Sequence, residues 1–510
     1  MNSRKQRGQA LILIALAFVG LAAFIGLAVD AGILFIQYGH LRRGVDAASL
    51  SAANQFREGW TSAEMTAAGL QVLALNGLDP ASIGVAVETC DNAIIPGDPR
   101  LCYDPPRKLV RVTGMVTAYF AFLPIIGFDS TTLSANAISE AASVDIVLVI
   151  DSSESMTFDT SCSNTTDDDV YAEEHMVGGL GTADGDPNDG CGANPQIGGY
   201  VDDYFAKAAN CNPEKQCRPF RDVQDAAVAL TTRLLPPYDR MAIVTFDKNA
   251  VTHKALNYQS AMGLSNAAYI TALQTQIMAL DLFEPDPVDP CPDWATTGPQ
   301  GCTSTNTAGG LAHAAKQFYD HKREEAVWIV ILLSDGGANA AKDGGGDWIC
   351  PGTFFAGDWV EPYCRDNDAD SRHIKTDGMY DADDAARDLA DFLGCLDKNS
   401  SPHPGTCAAL APDYGDGAVI FTIGLGKQMT ENTHCDPFWG SCDEDAGEQL
   451  LRYIANVGDD GNPLPASDVC VTGGFGVGES CGNYYFSPTG SGLMEVFEAI
   501  ASRIFTRITH

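Results

Sequence analysis

Four runs of nearly uninterrupted aliphatic residues stand out in the last two thirds of the chain. They are "SVDIVLVID" ending at Asp151, "RMAIVTFD" ending at Asp247, "EAVWIVILLSDG" ending at Gly336 and "GAVIFTIGLG" ending at Gly426. Each is rich in β-branched residues and stops abruptly at polar residues or glycine, as a strand buried on both faces does. The intervening stretches repeat their apolar positions at helical spacing: "FRDVQDAAVALTTRLL", "NAAYITALQTQIMAL", "TAGGLAHAAKQFYDH" and "DADDAARDLADFLGCL". "AGEQLLRYIANVG" and "GSGLMEVFEAIASRIF" do the same after the last run. Strands alternating with amphipathic helices predict an α/β domain over 143–510, a doubly wound, mostly parallel sheet with helices on both faces. Two stretches break the alternation, near 157–219 and 337–376, and are expected to be insertions.

The beginning of the chain follows another pattern. "ALILIALAFVGLAAFIGLAV", from Ala10 to Val29, carries no charge. As a helix it is about 30 Å long, the hydrocarbon thickness of a bilayer. That exceeds the apolar centre of a cleavable signal peptide, so the stretch is expected to be an uncleaved anchor. Arg4, Lys5 and Arg7 precede it, favouring a cytoplasmic N-terminus; Arg42 and Arg43 on the far side oppose that, and the cysteines favour it again. Beyond the span, Leu34, Tyr38, Leu41, Val45, Ala48 and Ala52 recur at spacings of four and three. This seam either packs on the protein's own next domain or joins helices in an assembly. Residues 1–56 therefore form the anchor and its amphipathic continuation.

Residues 57–142 start helical around Met65, Leu70, Val72 and Leu73, then turn β-like through "IGVAVETC" and "KLVRVTGMVTAYFAFL". They predict a small α+β spacer domain with a hairpin closed by Cys90 and Cys102.

Composition narrows the partners. The 510 residues hold 67 acidic and 31 basic side chains, a formal charge of −36 that repels phosphate backbones and excludes nucleic acid as a partner. The 16 cysteines all follow residue 89, several in close pairs: Cys211/Cys217, Cys291/Cys302, Cys350/Cys364, Cys395/Cys407 and Cys435/Cys442, besides Cys90/Cys102. With no CxxC present, disulfides in an oxidising compartment outweigh zinc.

Candidate chemistry gathers where strands should end. Asp151, Ser153 and Ser155 form D-x-S-x-S after the first run, Thr305 opens "TNTAGGL" before a helix, and Asp335 closes "ILLSDG". Two carboxylates and three neutral hydroxyls form an all-oxygen donor set, suited to Mg²⁺ or Ca²⁺. A partner's carboxylate could complete the shell of such an ion. The bland alternative is that the serines cap a helix. A serine hydrolase is disfavoured, because no G-x-S-x-G turn is present and His175, His313 and His373 sit in no recognisable base motif. No enzymatic activity is expected. In the insertions, Asp366, Asp368, Asp370 and Asp377 echo a Ca²⁺ loop, and "DGDPNDG" from Asp184 to Gly190 does so more weakly. Ser371 stands where the loop's Gly belongs, so solvated acidic loops compete with additional Ca²⁺ sites.

Two resemblances sharpen this picture. "RGQALILIALAFVGLAAFIGLAVDAGILFIQYGHLRRGVDAASLSAA" strongly resembles the N-terminal motif of TadE/TadG-like Flp pilus-assembly proteins. Pilin-like members carry a Glu shortly after the processing Gly. Here Gly8 leads into Gln9, Ala10, Leu11, Ile12 and Leu13, which favours an anchor that stays in the membrane. The order DxSxS, Thr, SDG resembles the metal-ion-dependent adhesion site (MIDAS) of von Willebrand factor type A (VWA) domains, a Rossmann-like fold. That resemblance implies a divalent cation surrounded by Asp151, Ser153, Ser155, Thr305 and Asp335. Together the resemblances imply a single-pass protein of the bacterial cell envelope with an extracytoplasmic C-terminal domain, surface-exposed or pilus-associated. The expected partners are a protein or surface ligand offering a carboxylate, other pilus-assembly components, the membrane and, in an assembly, further copies of the chain. The alternative is a structural filament subunit that displays the VWA domain, with a purely structural metal.

Overall fold

The computed structural model describes residues 7–56, 61–153, 219–257, 262–282, 305–323, 325–342, 372–376, 378–394, 417–426, 446–461 and 468–507, with isolated positions such as Met156 between them. The chain divides into two compact units, Met1–Ser143 and Val144–Ile508.

In the first unit, helix α1 runs unbroken from Arg7 to Phe56. It contains no proline, and its glycines are scattered singly among strong helix formers. From Leu11 to Val29 its large side chains are exposed all round. Among the described residues this is the one helix long and apolar enough to cross a membrane. Further along, Leu41, Val45, Ala48 and Ala52 are fully buried. They pack against helix α2 (Ser62–Leu75) and a three-stranded antiparallel sheet of β1 (Gly84–Glu88), β2 (Lys108–Tyr119) and β3 (Ser130–Ala141). Gly114 of β2 allows the close approach: a Cβ there would lie 2.7 Å from Val45. From Leu41 onward the seam is thus spent inside its own unit, while Tyr38 is 41% exposed.

Helix α2 starts on a capping box, in which the Thr61 side chain accepts from the Glu64 N–H and Glu64 accepts from the Thr61 N–H. Cys90 and Cys102 are bonded, as their spacing predicts. Under that loop the Arg111 guanidinium reaches Glu88 at 2.8 Å and Asp98 at 2.7 Å. Arg111 is the main cause that holds the Glu88 carboxyl below its ordinary range, while the Asp98 carboxyl is held down chiefly by Arg100 and then by Arg111. Strand β3 has no counterpart among the predicted elements.

The second unit is a six-stranded, mostly parallel sheet. Its strands are β4 (Ser143–Asp151), β5 (Arg240–Phe246), β6 (Ala250–Lys254), β7 (Ala326–Ser334), β8 (Val419–Leu425) and β9 (Tyr484–Ser487), in the order β9-β8-β7-β4-β5-β6. Strand β4 runs parallel to β5, β7 to β8 and β9 to β8, while β6 runs antiparallel to β5. The four predicted strands are present, and β6 and β9 extend the sheet at its two edges.

All nine residues of β4 are buried, and they alternate between two cores as the pleat requires. Ile146, Leu148 and Ile150 pack beneath α3 (Phe220–Thr231), α4 (Asn266–Ala279) and α8 (Leu493–Arg507). Val147 and Val149 face the opposite core with α5 (Thr307–Asp320), α6 (Ala382–Gly394) and α7 (Ala446–Asp460). Helix α7 approaches the sheet so closely that a Cβ on Gly458 would lie 2.4 Å from the Ile420 backbone nitrogen. A second disulfide, Cys470–Cys481, joins residues outside the predicted close pairs. Of the other predicted pairs, Cys211/Cys217, Cys291/Cys302, Cys350/Cys364 and Cys395/Cys407 lie outside the described residues. Cys435 and Cys442 face each other across a two-residue strand pair.

Candidate metal centre

Chain order reverses between β4 and β7. To one side lie the strands that follow β4 in sequence, to the other those that follow β7. Helices on either side of such a reversal diverge and leave a crevice at the carboxyl ends of the two strands. Asp151 is the last residue of β4, and Asp335 directly follows β7.

Local hydrogen bonds hold the crevice together. The Ser153 N–H donates to Asp151 Oδ1 at 2.9 Å, and the Ser334 hydroxyl donates to Asp151 Oδ2 at 2.6 Å. The Ser153 hydroxyl and the Asp335 N–H also donate to this carboxylate. Burial pushes the Asp151 carboxyl up to about 6 despite these four donors. A buried carboxylate that retains part of its desolvation cost is poised for a cation. Asp335 is itself buried, so two acids occupy one crevice.

Thr305 arrives from a different part of the chain. Its N–H donates to the Asn339 side chain at 2.7 Å, and the Asn339 N–H returns to the Thr305 carbonyl at 3.2 Å. Asn339 lies four residues past Asp335, so this pair ties Thr305 to the loop carrying the second acid. Asn306 caps helix α5, accepting from the Gly309 N–H at 2.7 Å, while its own NH₂ donates to the Lys248 carbonyl at 3.0 Å. The Asn306 N–H donates to the Asp247 carbonyl, which anchors the start of α5 to the end of β5.

Of the five predicted ligands, Ser153 and the backbone N–H of Asp335 hydrogen-bond the Asp151 carboxylate, and Thr305 pairs with Asn339 in the loop that follows Asp335. Ser155 lies outside the described residues. The serines at 152 and 153 do different work: Ser152 donates from both its N–H and its hydroxyl to the Phe246 carbonyl, which pins the turn to β5. Three residues escaped the sequence reading. Ser334 was visible as the first letter of "SDG", and Asn306 as a cap before a helix. Nothing in the sequence singles out Asn339.

The donors present are oxygens only, from two buried acids and neutral hydroxyls. That chemistry fits a hard divalent cation and offers nothing to a thiolate-seeking one. The acidic segments that echo Ca²⁺ loops, at Asp366, Asp368, Asp370 and Asp377 and at 184–190, lie outside the described residues. Another carboxylate trio, Asp381, Asp383 and Asp384, opens helix α6. Asp381 accepts from the N–H groups of Asp383 and Asp384, and Arg387 lies 2.9 Å from Asp383 and 3.6 Å from Asp384. Cap and ion pair account for this cluster without a metal.

Replacing Ser334 with alanine removes a 2.6 Å donor to Asp151 and leaves a buried acceptor short of a partner. We expect a loss of about 1–3 kcal/mol in chemical denaturation. A loss below a few tenths would mean that the Ser334–Asp151 bond does not organise the crevice.

No protein-family model matches the sequence, and no curated protein matches it. Among solved structures the chain is similar to the pilus adhesin SpaC from Lactobacillus rhamnosus GG, with 12% identity, a TM-score of 0.35, and 78% of this chain covered against 33% of that one. Proximal thread matrix protein 1 from the mussel byssus, solved with a zinc-occupied MIDAS motif, shows 12% identity and a TM-score of 0.29 over 72% of this chain and 46% of its own. The vWF domain of the type V pili tip protein Mfa5 from Porphyromonas gingivalis shows 14% identity and a TM-score of 0.29 over 72% of this chain and 97% of its own. The chain thus spans about a third of SpaC and under half of the mussel protein. At TM-scores near 0.3 these similarities assign no activity to it.

Proposed function

We propose that the chain is a membrane-anchored, extracytoplasmic VWA protein of a Tad/Flp-type pilus or surface adhesion apparatus. In this reading it binds a protein partner or surface through a divalent-metal site of MIDAS type, and it is no enzyme. The observation that carries the reading is the Asp151 carboxylate at the β4–β7 reversal, bonded by Ser153, Ser334 and the backbone of Asp335. The strand order, with helices on both faces, supports a doubly wound VWA arrangement. The exposed apolar half of α1 supports the anchor, and the basic residues Arg4, Lys5 and Arg7 before it support a cytoplasmic N-terminus.

Asp151, Ser153, Ser155, Thr305 and Asp335 would hold Mg²⁺ or Ca²⁺. Bound there, the cation supplies a coordination position that a partner's carboxylate can fill. Asp151 and Asp335 bring just enough charge to neutralise it. Ser153 and Thr305 donate neutral oxygens, so the partner's acid is not repelled by surplus negative charge. Asn339 and Ser334 act one step back, by fixing Thr305 and Asp151.

The alternative of a filament built through the α1 seam would have to rest on Leu34 and Tyr38, since Leu41, Val45, Ala48 and Ala52 are buried within their own unit. The test is direct metal binding to the full chain in detergent, by equilibrium dialysis with Mn²⁺ as the probe. We expect about one tightly held ion in the wild type, abolished by Asp151→Ala or Asp335→Ala. Undiminished binding in both variants would sink the MIDAS-type site.

A further inference from the structure

The turn between β2 and β3 presents a surface that the functional reading does not use. From Val112 to Phe128 the chain carries no Asp, Glu, Lys or Arg, in a protein with 98 such residues (67 acidic and 31 basic). At the tip, Leu123–Ile126 forms one 3₁₀ turn closed by Gly127, whose φ of 94° suits glycine. This turn holds its side chains outward: Ile125 is 82% exposed, Ile126 69%, Phe128 62% and Tyr119 70%. Contiguous exposed apolar side chains on one tip are uncommon on a water-facing surface.

The position of the tip indicates what covers it. Phe122 lies against the membrane-spanning stretch of α1, with its Cβ 3.0 Å from where a Cβ on Gly26 would be. One helical turn later, the buried Asp30 carboxylate accepts from the N–H groups of Ala121 at 2.6 Å, Phe122 at 3.1 Å and Leu123 at 2.8 Å. Gly26 and Asp30 share one face of the helix, and both are covered by this turn. Gly26 stands three residues inside the end of the apolar stretch at Val29, about 4.5 Å along the axis. The turn is therefore clamped beside the last turn of the span, at a depth typical of elements that lie in the bilayer interface.

We propose that the β2–β3 tip, residues 119–128, is a second membrane-embedded element that dips into the outer leaflet beside the anchor. This rests on the reading of residues 10–29 as a membrane span. The occupant is the acyl-chain region of the lipid. A second copy of the chain or another protein would have to approach a tip already held against the lipid-facing helix. With Asp30 locking it, the tip fixes how far the β-sheet of the first unit stands from the bilayer.

The test is photo-crosslinking of the full chain in vesicles of phosphatidylethanolamine and phosphatidylglycerol. p-Benzoylphenylalanine is placed in turn at Phe18 in the span, at Ile126 at the tip, and at Glu140 at the far end of β3. Phe18 and Ile126 are exposed, and Glu140 lies at the surface paired with Arg107, so none of the three replacements removes a core side chain. Lipid adducts at Ile126 should come within about twofold of those at Phe18 and exceed those at Glu140 about tenfold, as expected for side chains at hydrocarbon depth. Lipid adducts at Phe18 without any at Ile126 would overturn the inference while leaving the anchor intact. Adducts from Ile126 to a second copy of the chain would overturn it too. Absence of lipid adducts at Phe18 would remove the anchor and the inference together.

Discussion

Replacing Asp145 with alanine will destabilise the Val144–Ile508 unit by about 3–5 kcal/mol, the cost of leaving a buried charge uncompensated. Asp145 sits near the amino end of β4 and is fully buried. Its Oδ2 receives Arg240 at 2.6 Å, and its Oδ1 receives Arg323 at 2.6 Å. Both guanidiniums are buried as well. Arg240 further donates to the His321 carbonyl, and Arg323 to the Tyr238 carbonyl. One carboxylate thus bridges two guanidiniums at the start of the sheet. Without it, two like charges face each other where water cannot reach them.

The effect should appear in urea denaturation as a lowered midpoint at nearly unchanged slope. Metal binding in the molecules that remain folded should persist, because Asp151 lies six residues on, about 20 Å along the strand. A triple replacement, Asp145→Leu with Arg240→Met and Arg323→Met, should recover most of the loss, since apolar packing often equals a buried ion network. By contrast, Lys316→Ala breaks the exposed Lys316–Asp320 pair and should change stability by about 0.5 kcal/mol at most. If Asp145→Ala proves as mild as Lys316→Ala, the network does not bear on stability.

That network shows what a sequence displays and what it hides. A charge inside "SVDIVLVID" is visible at once, but its partners lie 95 and 178 residues away. No local pattern points to them. The four inner strands were readable because both their faces are buried, which makes them continuous aliphatic runs. Strand β6, "AVTHK", is half-buried at an edge, and β9, "YYFS", is only four residues long. Strand β3, "STTLSANAISEA", buries only small alanines on its inner face, so its alternation carries little hydrophobic contrast.

At the crevice, Asp151, Ser153 and Asp335 stood out because strand ends and fixed spacing place them. Asn339 did not, because its role depends on where the loop after β7 meets Thr305. Asp30 belongs to the same class. In the sequence it merely ended an apolar stretch, and its three backbone donors come from a turn about 90 residues later. The α1 seam admitted two readings: Leu41, Val45, Ala48 and Ala52 pack within their own unit, while Tyr38 stays exposed.

Asp151→Asn will reverse its rank against the wild type according to whether metal is present. In EDTA the variant should be at least as stable, because it removes a buried charge while keeping its shape. The Asn oxygen can still accept from the Ser153 N–H, and its NH₂ can donate to Ser334 once that hydroxyl rotates. The pH dependence follows from the sign of the shift. Burial raises the Asp151 pKa from 3.8 to about 6, so the folded metal-free protein binds this proton more tightly than the unfolded chain does. The resulting stability is complete below 3.8 and is lost as pH rises through about 6. The advantage of the variant in EDTA should therefore grow between pH 4 and pH 7, a window set by those two values. With Mg²⁺ at a hundred times its dissociation constant, the wild type should gain about 2.7 kcal/mol and the variant almost nothing. Thermal unfolding of the full chain in detergent, with and without Mg²⁺, reads both halves. Equal stabilisation of the two proteins by Mg²⁺ would place the ion elsewhere. A variant much weaker than wild type in EDTA would make Asp151 a structural acceptor whose carboxylate the fold needs even without metal.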